Sequence, residues 1–135
     1  MLNVKALVLK ILTYIFSLHQ DHIARTTVKE ISSKITLGGA WSGYIKKAYI
    51  LGDMVYISLE VYASTVTSGY EYTVGNIASG YRPGILHIFT GHTTTSNYTP
   101  NGVVTAKITT GGDIKVTISN SNGNYLFINM AYPKG

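Results

Sequence analysis

The sequence contains no cysteine, few charged residues and, within its first 25 residues, neither glycine nor proline. Because cysteine is absent, the chain forms no disulfide bridge or thiolate metal site, and its fold depends on packing alone. Charged residues make up 13% of the chain, about half the usual share, whereas hydrophobic residues make up 45%. This composition argues against intrinsic disorder. It also indicates that oligomerisation hides part of the surface, or that uncharged polar residues cover it.

The charges are scattered along the chain and form no cluster. The net charge is +5, from 11 basic and 6 acidic residues. Lys46 and Lys47 are the only adjacent basic residues, and on a β-strand they would point to opposite faces. Nucleic-acid binding requires a basic stripe on one face of the protein, so we predict no nucleic-acid partner.

The sequence also lacks the groupings that catalysis or metal binding requires. Acid–base catalysis uses paired titratable groups, whereas the six acidic residues are well separated in the sequence. His87 and His92 lack the spacing and acidic neighbours of a metal site. His19 and His22 are three residues apart on a predicted helix, where we interpret them as facing solvent or a partner. We therefore predict no enzyme activity, no metal site and no cofactor.

Residues 1–25 follow the spacing of an α-helix that is apolar on most sides. Apolar side chains recur every three or four residues along one face, and Leu2, Leu9 and Phe16 form a second apolar line. Such a helix must be buried on most sides. We predict that residues 1–25 are a stem that associates into a homotrimer and also packs against the β heads. The predicted oligomerisation residues are Val4, Leu7, Val8, Ile11, Tyr14, Ile15 and Leu18.

Three alternatives to a self-associating stem stay open: a signal peptide, a membrane anchor, and packing against the chain's own β region. Lys10 interrupts the apolar run, and no A-x-A-like cleavage site follows it. The run is also shorter than the roughly 20 residues that are needed to cross a bilayer. The pattern therefore favours self-association, and we expect no membrane insertion.

From Thr26 onward the periodicity falls to two residues, which is typical of half-buried β-strands. The clearest strand spans residues 54–63, with these residues on one face: Val55, Ile57, Leu59, Val61 and Ala63. Further strands are predicted at residues 31–37, 44–51, 70–77, 85–94, 103–109, 114–119 and 125–132. Turns are predicted at residues 51–53, 111–113 and 120–124. Antiparallel strands without a crossover helix predict a mainly β chain, with a sandwich or jelly-roll-like head over residues 26–135.

The head is rich in tyrosine and in uncharged polar residues, which suits ligand binding through loops. Aromatic rings stack on the apolar faces of sugars, and Asn, Ser and Thr supply adaptable hydrogen bonds. The longest predicted loop, residues 91–102, offers His92, Asn97 and Tyr98 as candidate ligand-binding residues, and Trp41 is a further candidate. An equally simple interpretation is that Tyr98 covers an edge of the head and that Trp41 fills its core.

Several short segments resemble the C-terminal head domains of bacteriophage tail-fibre and receptor-binding proteins. The matching segments are residues 39–45 (GAWSGYI), 79–83 (SGYRP), 111–116 (GGDIKV) and 125–133 (YLFINMAYP). The opening of the helix, residues 4–7 (VKAL), is also similar to that of small phage proteins with a helical stem. The resemblance covers most of the chain, and its motifs are short and structural. No ligand-binding residue is carried over from it.

The resemblance implies a homotrimeric component of the virion, at the phage tail tip or fibre. Together with the residue pattern, it predicts a non-enzymatic protein whose head attaches to saccharide on the bacterial surface. The alternative is a structural or assembly component of the tail or baseplate that has no glycan ligand. In that case the partners of the head are other virion tail proteins.

Overall fold

The computed structural model describes residues 3–120 and 125–135, and these form one α-helix followed by nine β-strands. The helix, α1, spans Val4–Thr26. The strands are β1 Lys29–Glu30, β2 Ile35–Leu37, β3 Ser42–Leu51, β4 Met54–Tyr62, β5 Glu71–Ile77, β6 His87–Thr94, β7 Pro100–Ile108, β8 Asp113–Ile118 and β9 Tyr125–Pro133. Apart from Asn120, the predicted turn at residues 120–124 lies outside the described residues.

The helix α1 has defined caps at both ends. The Asn3 side chain accepts a hydrogen bond from the Ala6 amide at 3.2 Å and so caps the N-terminus. The helix ends at Thr26, where β-branched residues begin, and the Thr27 amide donates to the Ile23 carbonyl at 2.9 Å. The helix that the sequence predicts is therefore confirmed.

Every residue of α1 is exposed to solvent in the single chain. The exposed fraction is 66% for Leu9 and 62% for Phe16, although both side chains are large and apolar. The contact of α1 with the head is made mainly to β3. The alternative prediction, that the helix packs against the chain's own β region, is therefore wrong for the single chain. Within residues 3–120 and 125–135, no helical segment has the length and hydropathy needed to cross a bilayer.

The nine strands form one antiparallel sheet in the order β1-β3-β4-β9-β6-β7-β8-β5-β2. Tight turns join β3 to β4 and β7 to β8. Each turn contains a glycine with a positive φ, which is 58° at Gly52 and 87° at Gly112. Only glycine adopts these angles without steric cost. The hairpins that the sequence predicts at these positions are therefore confirmed.

The two end strands of the sheet, β1 and β2, are neighbours in the sequence and are joined by a single 3-10 turn, Ser32–Lys34. The Ser32 hydroxyl accepts a hydrogen bond from the Ala48 amide of β3 at 3.0 Å. Lys46, also on β3, donates to the Ile35 carbonyl of β2 at 2.9 Å. The sheet therefore curls until its ends lie together. The mainly β antiparallel prediction is confirmed, and the sandwich or jelly-roll form stays a prediction.

The core lies inside the curled sheet. All five residues predicted to share the inner face of β4 are buried there, namely Val55, Ile57, Leu59, Val61 and Ala63. Tyr132 of β9 is also fully buried, and its hydroxyl donates to the Tyr81 carbonyl at 2.9 Å. Burial raises the pKa of the Tyr132 hydroxyl, so this group stays protonated and acts as a donor.

Two predicted segments differ from the structure. The strand expected at residues 31–37 is divided by the 3-10 turn, which leaves only the short β1 and β2. The long loop expected at residues 91–102 is instead mostly strand, because β6 continues to Thr94 and β7 begins at Pro100. The β-branched threonines of this segment favour extended backbone. Only residues 95–99 connect the two strands, through a short hydrogen-bonded turn.

Candidate binding surface

Three adjacent strands, β4, β9 and β6, carry aromatic side chains on the face turned away from the core. Alternation along β9 buries every second residue and turns Tyr125 and Phe127 outward. In the sheet register, Tyr62 of β4 lies opposite Tyr125, and His92 of β6 lies opposite Phe127. Cross-strand neighbours on one face of a sheet are close enough for their side chains to touch.

The rings on this face contact one another. The Tyr62 and Tyr125 ring centroids are 4.7 Å apart. The His92 and Phe127 rings are stacked, with centroids 5.1 Å apart and planes 3° from parallel. The Tyr98 ring meets Phe127 edge-on at 6.0 Å. With Tyr44, whose ring lies 5.9 Å from that of Tyr125, these residues form the aromatic surface: Tyr44, Tyr62, His92, Tyr98, Tyr125 and Phe127.

A β-bulge in β3 explains how Tyr44 joins the aromatic surface. The pairing of β3 with β4 shifts register between Gly43 and Ile45, and Tyr44 is the extra residue. The bulge leaves the Tyr44 side chain 61% exposed beside Tyr125. Burial raises the pKa of the Tyr125 hydroxyl, and the adjacent Tyr44 hydroxyl raises it further. The Tyr125 hydroxyl therefore remains a neutral hydrogen-bonding group at physiological pH.

The turn at residues 95–99 holds Tyr98 in place. The Thr95 amide donates to the Thr99 carbonyl, and the Tyr98 amide donates to the Thr95 carbonyl, both at 3.0 Å. Tyr98 has a φ of 60°, and it is the only described residue other than glycine with a positive φ. This conformation is uncommon for a bulky residue and is frequent at functional sites. Its ring is 64% exposed at the rim of the aromatic surface.

Gly91 allows the backbones of β6 and β9 to approach each other beside the aromatic surface. A Cβ atom at position 91 would collide with the Phe127 carbonyl oxygen and would also press on the Val104 side chain. Because Gly91 has no side chain, β9 can approach β6 closely at this point. This close approach allows Phe127 to lie beside His92.

A shallow apolar groove continues the aromatic surface along the same face of the sheet. It forms where β6 and β9 separate, since these strands are paired only from His92 to Thr94. The groove has a volume of about 390 Å³. Its lining includes Tyr49, Tyr56, Ser58, Phe89, Asn129 and Ala131. The outer face therefore offers an extended surface of rings, amides and hydroxyls.

The structure brings together two of the four predicted ligand-binding residues. His92 and Tyr98 both contact Phe127 within the aromatic surface. Asn97 is exposed in the turn next to Tyr98. Trp41 lies elsewhere: it is only 8% exposed, belongs to the core and packs edge-on against Tyr72 at 6.2 Å. Trp41 therefore has a packing role in the single chain, which was the alternative interpretation of this residue.

Sequence reasoning missed the residues in the middle of the aromatic surface. The alternation of β4 correctly places Tyr62 and Glu60 on the outer face, and that of β9 does the same for Tyr125 and Phe127. However, alternation does not reveal that β4 and β9 are neighbours, because Glu60 and its partner Phe127 are far apart in the sequence and pair only in the folded sheet. The alternation pattern therefore predicts which residues lie on the outer face of each strand, but not that they meet in one aromatic surface.

Strands β4 and β9 become neighbours only in the complete sheet. β4 ends at Tyr62 and β9 begins at Tyr125, with four other strands between them in the chain. No local pattern near either strand specifies that these two will pair, because each would bury its inner face equally well beside another strand. The composition of the outer face could be predicted from the sequence, and its assembly into one surface required the structure.

The acidic residues do not converge on a site. Glu71 of β5 pairs with Lys107 at 2.7 Å and Lys115 at 3.6 Å, and its hydrogen bond with Lys107 holds the pKa of its carboxyl below the usual range. Asp113 of β8 accepts a hydrogen bond from Asn76 at 2.9 Å. Glu60 lies on β4, with four strands between it and β5 in the sheet order. Across residues 3–120 and 125–135, no group of three or more potential metal ligands occurs.

Comparisons with known proteins address the fold. No family model matches the chain, and no curated protein sequence matches it. Among solved structures, the head domain of the lactococcal phage bIL170 matches with a TM-score of 0.64 and 14% identity, over 81% of this chain and 100% of that one. The receptor-binding protein of Listeria phage PSA matches with a TM-score of 0.58 and 10% identity, over 99% of this chain and 82% of that one. The resemblance predicted from the sequence is therefore confirmed at the level of the fold, and this chain has the fold of phage receptor-binding head domains.

Proposed function

We propose that this chain is a receptor-binding protein of a phage virion, located at the tail tip or fibre, and that its head attaches to saccharide on the bacterial surface. The observation that carries this proposal is the aromatic surface, which is presented on a fold shared with two phage receptor-binding proteins. An aromatic cluster of this kind on the outer face of a sheet contributes nothing to the core. Its position suits contact with a ligand.

The chemistry of the surface favours a saccharide. Rings such as those of Phe127 and Tyr98 offer flat apolar faces to the C–H groups of a sugar, and His92 and Asn97 add hydrogen-bonding groups beside them. Binding sites for small ligands commonly combine apolar and aromatic walls with a few placed polar groups. No lysine or arginine belongs to the aromatic surface, so a nucleic acid or another polyanion is a poor fit.

The helix α1 supports a homotrimer as part of this proposal. The apolar side chains along α1 remain exposed in the single chain, including Leu7 at 41%, Ile11 at 49% and Ile15 at 55%. Association of stems would cover them and would carry several heads on one particle. Linked heads gain avidity of about 10²- to 10⁴-fold over one head when the geometry allows simultaneous binding. Weak single-site binding to a saccharide would then suffice for attachment.

The proposed function is non-enzymatic. Hydrolysis of a glycoside needs two carboxyl groups that flank the same bond. Glu71 lies opposite Thr117, which is four residues from Asp113 along β8, so the two acids are about 13 Å apart along the sheet. Glu71 is also paired with two lysines. These acids are therefore too distant and too strongly partnered to act as a catalytic pair.

A second candidate, a structural or assembly component of the tail, is favoured by a different surface. Three apolar residues at and before the start of β6 are strongly exposed: Ile85 at 67%, Leu86 at 49% and Ile88 at 60%. Contiguous exposed apolar residues often mark protein–protein contacts. In this alternative the head binds another virion protein through this patch, and the aromatic surface has no glycan ligand.

Binding of the fluorescently labelled full chain to bacterial cells and to a glycan array tests the proposal. Tyr98→Asn removes an exposed ring, and asparagine tolerates the positive φ at this position. We expect binding to fall about three- to tenfold, which is the range for loss of one aromatic contact. Tyr70→Asn is the matched control, because Tyr70 is 66% exposed and lies outside the aromatic surface. Binding to tail proteins alone, with no binding to cells or glycans, would support the assembly alternative and contradict the proposal.

A further inference from the structure

Glu60 carries an unpaired carboxylate at the aromatic surface. Its neighbours Leu59 and Val61 point into the core, so alternation along β4 turns Glu60 to the outer face. There it lies opposite Ile45 of β3 and Phe127 of β9. Only 6% of the residue is exposed. Its side chain is therefore packed among apolar and aromatic neighbours, while its carboxylate oxygens are not among the fully buried unpaired atoms.

Glu60 has no protein partner among the described residues. No hydrogen bond or ion pair reaches its carboxylate from residues 3–120 or 125–135. By contrast, Glu30 pairs with Lys47 at 2.9 Å, and Glu71 pairs with Lys107. Both of those glutamates are far more exposed than Glu60. A carboxylate that is packed among apolar side chains without a protein partner is rare, and it is available to a partner from outside the chain.

Thr94 repeats this pattern on the same face. It is 2% exposed, and its hydroxyl oxygen is buried without a hydrogen-bond partner in the part of the chain that the structure describes. Thr94 lies on β6 opposite Tyr125, and Tyr125 lies opposite Tyr62 on β4. Native structures leave few buried polar atoms unpaired. Glu60 and Thr94 are thus two polar side chains without a described partner under one aromatic surface, and we call them the polar floor.

The spacing of the polar floor indicates the size of its ligand. Glu60 and Thr94 are on strands separated by β9, so they lie about 10 Å apart across the sheet and about 7 Å apart along it. This diagonal is longer than one pyranose ring. A molecule that contacts both residues and the rings between them would have at least two linked sugar units.

The charges indicate that this ligand is neutral. Glu60 would repel an anionic group placed on the polar floor. The chain as a whole carries a net charge of +5, which disfavours the approach of a cationic ligand. Hydroxyl groups donate hydrogen bonds to a carboxylate without adding charge, and such charge-assisted bonds are stronger than bonds between neutral groups. Thr94 adds a neutral hydroxyl that suits the same chemistry.

We infer that the polar floor is the recognition element of the saccharide site: hydroxyls of a neutral oligosaccharide donate to the Glu60 carboxylate and bond to Thr94, while its ring faces pack on Phe127 and Tyr125. This inference rests on the proposed function and deepens it. It assigns orientation and selectivity to the two buried polar groups, and general affinity to the exposed rings.

Two near-isosteric variants of the full chain test this inference on the same glycan array. Glu60→Gln removes the charge and one acceptor oxygen, and Thr94→Val removes the hydroxyl while keeping the shape. We expect Glu60→Gln to weaken binding to neutral glycans about 10- to 100-fold, as for loss of a hydrogen bond to a charged group. We expect Thr94→Val to weaken it about 2- to 10-fold. Glu71→Gln, the same chemical change at a carboxylate already paired with lysine, should bind as the wild type does.

A second measurement separates recognition from a structural role. Because neither group of the polar floor has a described protein partner, replacing it should leave the midpoint of thermal unfolding unchanged or raise it, even as glycan binding falls. A lowered midpoint in Glu60→Gln would assign Glu60 to the fold and overturn the inference. Equal binding by Glu60→Gln and the wild type would overturn it as well.

The remaining outcomes distinguish this inference from the proposed function. Binding restricted to glycans with a free amine would identify Glu60 as a counter-ion and would overturn the neutral assignment. A changed oligomer mass in Glu60→Gln would show that the Glu60 carboxylate pairs with a neighbouring subunit. That result would overturn the inference as well. A wild-type protein that binds neither cells nor glycans would contradict the proposed function itself. The inference alone fails when the wild type binds and the polar floor makes no difference.

Discussion

The helix and the head of this chain use apolar residues in opposite ways. In the head, large apolar side chains such as Ile57 and Leu59 are 2% exposed and fill the inside of the curled sheet. In α1, side chains of the same kind, such as Leu12 and Phe16, are 58% and 62% exposed. The comparison teaches that apolar content alone does not define a core. The head buries its apolar side chains within one chain, whereas the helix leaves its own exposed there.

The difference also concerns how each region is stabilised. Most helical stability in proteins comes from packing of an apolar face, and isolated helices are marginal in water. The helix α1 is well capped by Asn3, but one cap contributes only about 1 kcal/mol. The head has backbone pairing along every strand and a continuous core. We therefore expect the head to be stable by itself and α1 to be stable mainly through association.

The largest expected effect is loss of the assembly when charge is placed on the apolar side of α1. Replacing Ile11 and Ile15 by lysine should prevent the proposed homotrimer from forming, since unpartnered charges are strongly disfavoured at a buried interface. Light scattering with size-exclusion chromatography measures the change in mass. Thr13→Lys with Ser17→Lys is the matched control, with the same charge and spacing on the more polar side of the helix. An oligomer that persists in the Ile11 and Ile15 variant would show that the head alone assembles.

The next effect compares the same substitution in the two regions. Leu59→Ala removes a buried side chain from the head and should lower its free energy of unfolding by about 2–5 kcal/mol. Leu12→Ala, in α1, should leave the unfolding of the head nearly unchanged. Trp41 is the only tryptophan and lies in the head core, so its fluorescence during urea titration reports on the head. Equal losses in both variants would mean that the helix and the head unfold as one unit.

The smallest effect concerns the exposed ion pair on the head. Lys107 holds the pKa of Glu71 below its ordinary value of 4.5, so the carboxylate stabilises the fold above that pH and loses this contribution as the pH falls. Glu71→Gln should therefore unfold at a slightly lower temperature than the wild type near pH 7. The difference should vanish under acid conditions and at high salt. A difference that grows on acidification would contradict this assignment.

Much of the fold could be predicted from the sequence, because its local patterns are strong. The helix α1 has a periodicity that no turn residue interrupts, and β4 alternates without a break. Glycine and aspartate also mark the hairpin turns at Gly52 and Gly112. The division of residues 31–37 by a 3-10 turn was not predicted. It depends on contacts with β3, including the bond between Ser32 and Ala48, which lie 16 residues apart.

The candidate site could be predicted only in part, because burial and strand order decide it. Tryptophan is a residue type that often contacts ligands, and yet the fold encloses Trp41 in the core. Glu60 is a charged residue on a face that alternation assigns to solvent, and yet Phe127 and Ile45 flank it and leave it buried. Both outcomes follow from which strands become neighbours, and that information is not local in the sequence.

The short end strands limit how copies of this head can pair with one another. β1 has two residues and β2 has three, and the curl of the sheet brings β2 against β3. Long, open strand edges invite another chain to add its own strand, which is a common route to aggregation. The end strands of this sheet offer a neighbouring copy very little backbone to extend, so they disfavour edge-to-edge growth into fibres.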